Sequence, residues 1–169
     1  MDKYIIRKGL EKEDEIISQN FYKMWLDIGI KESDFEDNWM EITLDKIKKD
    51  RKNLKLATIV ILDINNNKET IIGSAVCQIY NTNSLHPHII KYTTLQSGYI
   101  WGVYINPKHR NKGLAKKLIN ECNNYCKEIG CSDIKLWGSI KGIPVYKKCG
   151  YKFINDGIQE MILNLKNNH

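Results

Sequence analysis

The residues best placed to do chemistry are Arg110-Asn111-Lys112-Gly113-Leu114-Ala115, which run from a strand-like segment straight into an amphipathic helix. Two cations, a glycine and an alanine at a helix start describe an anion site. The first four N–H groups of a helix have no partner inside it. The helix dipole adds about half a positive charge there, worth roughly 0.3–1 kcal/mol per exposed bound charge. Each N–H bond to a charged oxygen adds roughly 1.5–3 kcal/mol. The hydrogen bonds therefore outweigh the dipole, and they need a ligand that can reach the backbone. Gly113 and Ala115 leave that path open, while Arg110 and Lys112 supply mobile positive charge. The expected ligand is a phosphate or pyrophosphate.

The flanking elements must hold this loop in place. Tyr99 to Ile105 is aromatic and β-branched and reads as a strand. Gly102 interrupts it, and a glycine inside a strand marks a bulge or a close approach. Asn106-Pro107 stops it. The helix after the loop places Leu114, Leu118, Cys122, Tyr125 and Ile129 on one face and ends at Gly130. Asp133 to Trp137 is a second strand, so strand, helix and strand make a βαβ unit with a parallel pair. A loop from Gly138 to Gly142 leads to a short helix, Pro144 to Cys149, closed by Gly150.

The rest of the chain supplies the layers. Tyr4 to Arg7 reads as a strand and Glu11 to Ile28 as a helix, with Ile17, Phe21, Met24 and Ile28 inward and Gly29 ending it. Ser33-Asp34-Phe35-Glu36 has the form of a capping box and predicts a second helix over Asp34 to Lys52, with Phe35, Trp39, Ile42 and Ile47 inward. Leu56 to Leu62 and Thr70 to Tyr80 read as strands across an asparagine-rich turn. Asn81 to Gln96 is a polar connection carrying His86 and His88. Tyr151 to Ile154 and Gln159 to Leu165 read as a closing hairpin across Asn155-Asp156-Gly157. The whole describes an α+β fold: a single domain over residues 1–169, with a mixed, mostly antiparallel central sheet and helices on both faces.

Composition narrows the function. Hydrophobic residues make up 42% and charged residues 27%, as in a soluble globular domain. The net charge of +6 is spread over scattered lysines with no aromatic-interleaved basic run, which favours an anionic cofactor over nucleic acid. The cysteines Cys77, Cys122, Cys126, Cys131 and Cys149 are odd in number and form no C-x-x-C pair. They read as small buried thiols in a reducing compartment, with no metal expected. The first residues do not form a signal peptide, and no apolar run is long enough to cross a membrane. A cytoplasmic protein is expected. A homodimer is the general prior among assemblies.

Arg110-x-x-Gly113-x-Ala115, after a strand ending in Ile105-Asn106-Pro107, resembles the Q/R-x-x-G-x-G/A signature of GCN5-related N-acetyltransferases. A second segment, Ile143-Pro144-Val145-Tyr146-Lys147-Lys148-Cys149-Gly150-Tyr151, resembles that family's N-x-x-A-x-x-L-Y-x-x-x-G-F motif. The element order matches the family fold along nearly the whole chain. The resemblance implies that acetyl-coenzyme A lies between two splayed strands. The backbone of Val103, Tyr104 and Ile105 would meet its pantetheine arm, Arg110 to Ala115 (Arg110, Asn111, Lys112, Gly113, Leu114, Ala115) its pyrophosphate, and Ser139 a polar group. Tyr146 would protonate the departing thiolate. Ser139 stands at the motif's asparagine position, Gly142 at its alanine and Tyr151 at its final phenylalanine.

The glutamate that serves many relatives as a base falls at Tyr99, so a water or His86 or His88 is left for that task. Glu36, Asp37 and Glu41 could attract a cationic amine, though acids also belong near a helix start. Trp25 and Trp39 read as core that can also wall a pocket. The implied activity is transfer of an acetyl group from acetyl-coenzyme A to a primary amine of a small molecule. The alternatives are a protein or peptide acceptor, or a non-catalytic acyl-coenzyme A sensor.

Overall fold

A computed structural model describes residues 3–65, 68–80 and 96–154. Five strands form one sheet in chain order: β1 (Tyr4–Lys8), β2 (Ala57–Asn65), β3 (Lys68–Ile79), β4 (Ser97–Ile105) and β5 (Asp133–Leu136). The pairs β1–β2, β2–β3 and β3–β4 are antiparallel, and β4–β5 is parallel. Four α-helices complete the described fold: α1 (Asp14–Asp27), α2 (Trp39–Asn53), α3 (Leu114–Glu128) and α4 (Ile143–Lys148). The expected α+β class and mixed sheet are what the structure has.

The sheet is buried on both faces because its middle strands are apolar on both. Along β2, Ile59 and Ile61 face α3, while Val60 faces α1 and α2. On the α3 side they meet Ala75, Cys77, Ile100, Leu118, Ile119 and Cys122. On the other side Val60 and Val76 meet Ile17 of α1, Ile47 of α2 and Trp101. This explains why Leu56 to Leu62 reads as a continuous apolar run instead of an alternating one.

Three expectations for the helices are corrected. The first helix begins as a 3-10 turn, Glu11–Glu13, before α1. The Ser33 capping box does not form. Residues Glu32–Asp34 make a 3-10 turn, Phe35 is extended, and α2 starts only at Trp39. The reciprocal bond that does form is from the Lys31 N–H to Asp34 Oδ2, at 3.3 Å. Aromatic packing decides the matter: Phe35 and Trp39 both pack on Tyr22 of α1, with centroids 4.5 and 4.4 Å away. Finally, Ile42 is exposed, and Thr43 and Ile47 make the buried stripe of α2.

The last segment also differs. Tyr151 to Ile154 forms no strand among the described residues, and Phe153 and Ile154 are exposed. Gln159 to Leu165, the Asn155–Gly157 turn, His86 and His88 lie outside the described residues.

β4 carries the feature that shapes the site. Val76 pairs with Trp101 and Ser74 with Tyr104, so β4 holds one more residue than β3 over this stretch. Gly102 occupies the bulge at φ +63°. The extra residue reverses the alternation of side chains. Val103 and Ile105 consequently join Ile100 on the α3 core, while Tyr104 joins Trp101 on the other face. Pairing with β5 spans only Ser97 to Ile100, so the sheet opens from the bulge onward.

Candidate active site

The opening between β4 and β5 continues into a cleft of about 790 Å³. Its floor is Val103, Tyr104 and Ile105 of β4. One wall is the loop and start of α3, with Arg110, Asn111, Gly113, Leu114 and Ala115, and the other is Ser139, Gly142, Val145 and Tyr146. Segments far apart in sequence therefore converge on one space. Of the residues that the resemblance sets against acetyl-coenzyme A, Lys112 alone lies off the cleft lining.

The loop is built for backbone approach. Asn111 has φ +62° and Gly113 φ +73°, an arrangement that turns successive N–H groups toward one side. Gly113 is the N-cap of α3 and supplies no side-chain cap, so the first N–H groups of the helix stay open. The first turn holds no acid. A Cβ built on Gly113 would find nothing within 4 Å, so that side of the loop is free space.

The two loop cations are fixed, not mobile. Arg110 Nε donates to the Ile105 carbonyl at 2.9 Å, and its Nη2 pairs with Asp27 at the end of α1. Its guanidinium also lies over the Tyr104 ring, 5.7 Å from the centroid. Arg110 thus ties α1 to the end of β4. Lys112 turns away to the Tyr4 hydroxyl, at 3.3 Å. The donors this loop leaves open toward the cleft are therefore backbone N–H groups. Arg110→Gln is expected to lower the thermal midpoint by about 2–4 °C, because the ion pair is partly exposed and contributes about 1 kcal/mol. Scanning calorimetry of this variant and of Asp27→Asn checks it: two different drops would show that the pair does not act as a unit.

Tyr146 sits at the inner end of the other wall. Its ring packs where Cβ atoms on Gly138 and Gly142 would be, at 3.4 and 2.8 Å from ring carbons. An alanine at 142 would displace the ring, which accounts for glycine at that motif position. The Tyr146 hydroxyl has no protein partner among the described residues. Burial pushes its phenol above the ordinary value, and Cys122 and Cys149 add to the shift. Ser139 Oγ accepts from the Gly142 N–H at 3.2 Å, which leaves its O–H free to donate into the cleft.

Tyr99 lies elsewhere. It pairs with Gln78 and Lys135 in the sheet, and its ring meets Tyr80 at 5.1 Å, away from the cleft lining. Glu36, Asp37 and Glu41 are exposed. Trp39 stacks on Tyr22 at 13° between planes, and Trp25 meets Phe21. Two buried thiols are shifted upward: hydrogen bonding to a neighbouring thiol raises Cys77 and Cys126 far above the ordinary value, and burial adds to both.

Sequence reasoning missed several lining residues. Met24 and Ile28, expected as core, line the cleft beside Asp27. They continue the Ile17 stripe along α1, so the same periodicity serves core and cleft. His109 was not singled out; it also lines the cleft, with its Nδ1 3.4 Å from the Tyr4 hydroxyl and 3.8 Å from Asp63. Lys116, Lys141 and Lys148 stand at the rim. The spacing of Lys141, Val145 and Lys148, one helical face, was the available signal.

A mixed sheet that splits at a bulge beside an uncapped helix start is the acyl-coenzyme A N-acyltransferase fold. The model of the Acetyltransferase (GNAT) family matches residues 13–151, and the chain belongs to that family. A Clostridium acetobutylicum structure, described as a predicted acetyltransferase with acetyl-CoA, superposes with a TM-score of 0.75 at 27% identity, covering 98% of this chain and 99% of that one. An aminoglycoside acetyltransferase from an uncultured soil metagenomic sample, in complex with sisomicin, shares the fold at 15% identity and TM-score 0.66, covering 98% of each chain. In sequence, 55 residues are 33% identical to the Arabidopsis thaliana glucosamine 6-phosphate N-acetyltransferase, 32% of this chain and 37% of that protein. The chain thus spans just over a third of the length of the curated relatives it matches. No described helix is long and apolar enough to cross a membrane.

Proposed function

We propose that the protein transfers an acetyl group from acetyl-coenzyme A to a primary amine of a small molecule. The observation that carries this is the continuous path from the Gly102 opening to the uncapped α3 start. The open space at Gly113 and the acid-free first turn fit a pyrophosphate. The opened edge of β4 offers backbone groups of Val103 and Tyr104 to a pantetheine arm; the Ile105 carbonyl is already taken by Arg110. When bound, acetyl-coenzyme A supplies the activated thioester.

The chain's own residues do the rest. The floor and walls hold the thioester carbonyl near Tyr146, and the Tyr146 hydroxyl gives a hydrogen bond or proton to the leaving sulfur. The acceptor would attack as a neutral amine: a C–N bond forms, the C–S bond breaks, and the amine's surplus proton passes to water, from which the Tyr146 oxygen regains the proton given to sulfur. No side chain among the described residues is assigned as base. The glucosamine 6-phosphate and aminoglycoside relatives support a small, polar amine as the acceptor class.

Thermal unfolding with acetyl-coenzyme A, coenzyme A and ATP tests the reading. At about a hundred times its dissociation constant a ligand adds about 2.7 kcal/mol. A rise of about 5–10 °C is expected with both coenzyme A forms and not with ATP, and thiol release should follow on adding amines. No rise with either form at saturation removes the cofactor assignment. A rise without thiol release across an amine panel favours a sensor, the reading that Tyr99 at the usual glutamate position supports.

A further inference from the structure

The anion loop rests on a polar cluster that the proposed reaction does not use. Asp63 of β2 is its centre. The Asp63 side chain is 8% exposed, and its Oδ1 is buried with no hydrogen-bond partner among the described residues. Oδ2 accepts from Asn65 Nδ2 at 3.1 Å. A buried carboxylate oxygen left without a donor is costly, and such an atom asks for a reason.

The charged and titratable groups that face this cluster come from β1, β2 and the loop itself. Tyr4 of β1 lies directly across from Asp63 in the sheet. Lys3, just before β1, holds its Nζ 4.0 Å from Asp63 Oδ1. His109 closes the turn that leads into Arg110 and sets its Nδ1 3.8 Å from Asp63 Oδ2 and 3.4 Å from the Tyr4 hydroxyl. Lys112 donates to that same hydroxyl at 3.3 Å. Two residues of the loop, His109 and Lys112, thus meet the Tyr4–Asp63 pair.

The distances carry the argument. At 3.8 Å the imidazole and the carboxylate stand within ion-pair reach and beyond a hydrogen bond. An ionised Asp63 offers only acceptors, so His109 can bond to it only with a hydrogen on Nδ1. A neutral ring with that nitrogen bare takes its hydrogen bond from Tyr4 and turns a lone pair on Asp63. The imidazolium always carries the hydrogen. It can close on Asp63, and it adds a unit charge to a ring that also lines the cleft and is 17% exposed. Histidine is the side chain whose charge ordinarily changes between about pH 5 and 8.

We propose that His109 is a positioning residue: in its protonated form it closes on Asp63, steadies the anion loop and couples acetyl-coenzyme A affinity to pH. This rests on the coenzyme A reading given above. An anion binds the protonated form more tightly, so affinity is highest on the acid side and falls as the ring gives up its proton. Reciprocally, ligand binding draws a proton onto His109.

Calorimetric titration of the full chain with acetyl-coenzyme A from about pH 6 to about pH 8 tests it. The comparison is His109→Asn, which keeps a donor near the Nδ1 position and carries no charge. The ligand's terminal phosphate titrates in the same range for both proteins, so the difference between them isolates His109. Between those limits the wild type should gain about 5-fold more affinity toward the acid side than the variant. In NMR spectra the His109 ring resonance, identified by its absence from the variant, should titrate at higher pH with ligand bound. Asp63→Asn should move the affinity gain to lower pH, because the imidazolium loses its partner, and it carries the test if the first variant does not fold. Parallel pH dependences in wild type and His109→Asn, or a ring titration that ligand leaves in place, overturn the proposal while the cofactor reading stands. If the wild type binds no acetyl-coenzyme A at any pH, both fall.

Discussion

Tyr146→Phe is expected to lower kcat about 100-fold while leaving KM for acetyl-coenzyme A within about 2-fold. The variant keeps the ring that fills the space above Gly138 and Gly142, so the wall of the cleft stays as it is. Only the hydroxyl is lost, and it has no protein partner among the described residues. The size of the effect follows from proton energetics. A phenol titrates near 10 and a thiol near 8.5, so full transfer to a thiolate costs about 2 kcal/mol in water. Burial raises Tyr146 further. The same dry surroundings also raise the leaving thiol, so the gap does not grow in proportion. A strong hydrogen bond to charge developing on sulfur is the regime in which such a group acts.

The raised phenol also sets the pH dependence. The acting form is protonated, so an upward shift keeps Tyr146 in its working state through pH 8–9, and its loss falls on the far alkaline side. Rates at saturating substrate from about pH 6 to 10 should therefore show the variant low throughout. A variant with wild-type kcat across that range would remove Tyr146 from the chemistry and leave it a ring in the wall.

Much of this site was legible because it is local. The loop Arg110 to Ala115, the strand before it and the helix after it announce themselves through short-range signals: an interrupting glycine, Asn106-Pro107, and a clean helical period. Gly102 pointed to a bulge for the same reason. The consequence of the bulge was harder to see, since reversal of Val103, Tyr104 and Ile105 needs the register against β3. The side chains of Arg110 and Lys112 escaped because their partners are distant in sequence: Asp27 lies 83 residues before Arg110, and Tyr4 108 before Lys112. The Ser33 capping box failed for a related reason. A local hydrogen-bond pattern worth about 1 kcal/mol lost to the packing of Phe35 and Trp39 on Tyr22.

Replacing Gly102 tests the structural basis of the cleft. Gly102→Val should reduce stability by about 3–4 kcal/mol and the thermal midpoint by about 10 °C. Two effects combine. A β-branched residue at φ +63° is strained by about 1–3 kcal/mol. Its Cβ would stand 3.3 Å from Phe21 Cδ2 and 3.8 Å from Val76 Cγ2, and the further methyls would overpack the seam between α1 and the sheet.

The chain has no cheap escape. Removing the bulge would slip β4 by one residue and turn Ile105, which is 7% exposed, out of the α3 core, while Tyr104 turned in. Arg110 would lose its grip on the Ile105 carbonyl, and the opening beyond Ile100 would lose its shape. The acetyl-coenzyme A shift in midpoint should therefore shrink to under about 2 °C in the variant. Gly102→Asn separates strain from bulk, since asparagine tolerates the left-handed region. It should lose about 1–2 kcal/mol and keep most of the ligand shift. If the valine variant instead unfolds at the wild-type temperature with the full ligand shift, the bulge is incidental, and the cleft is held open by Arg110 and the α3 loop alone.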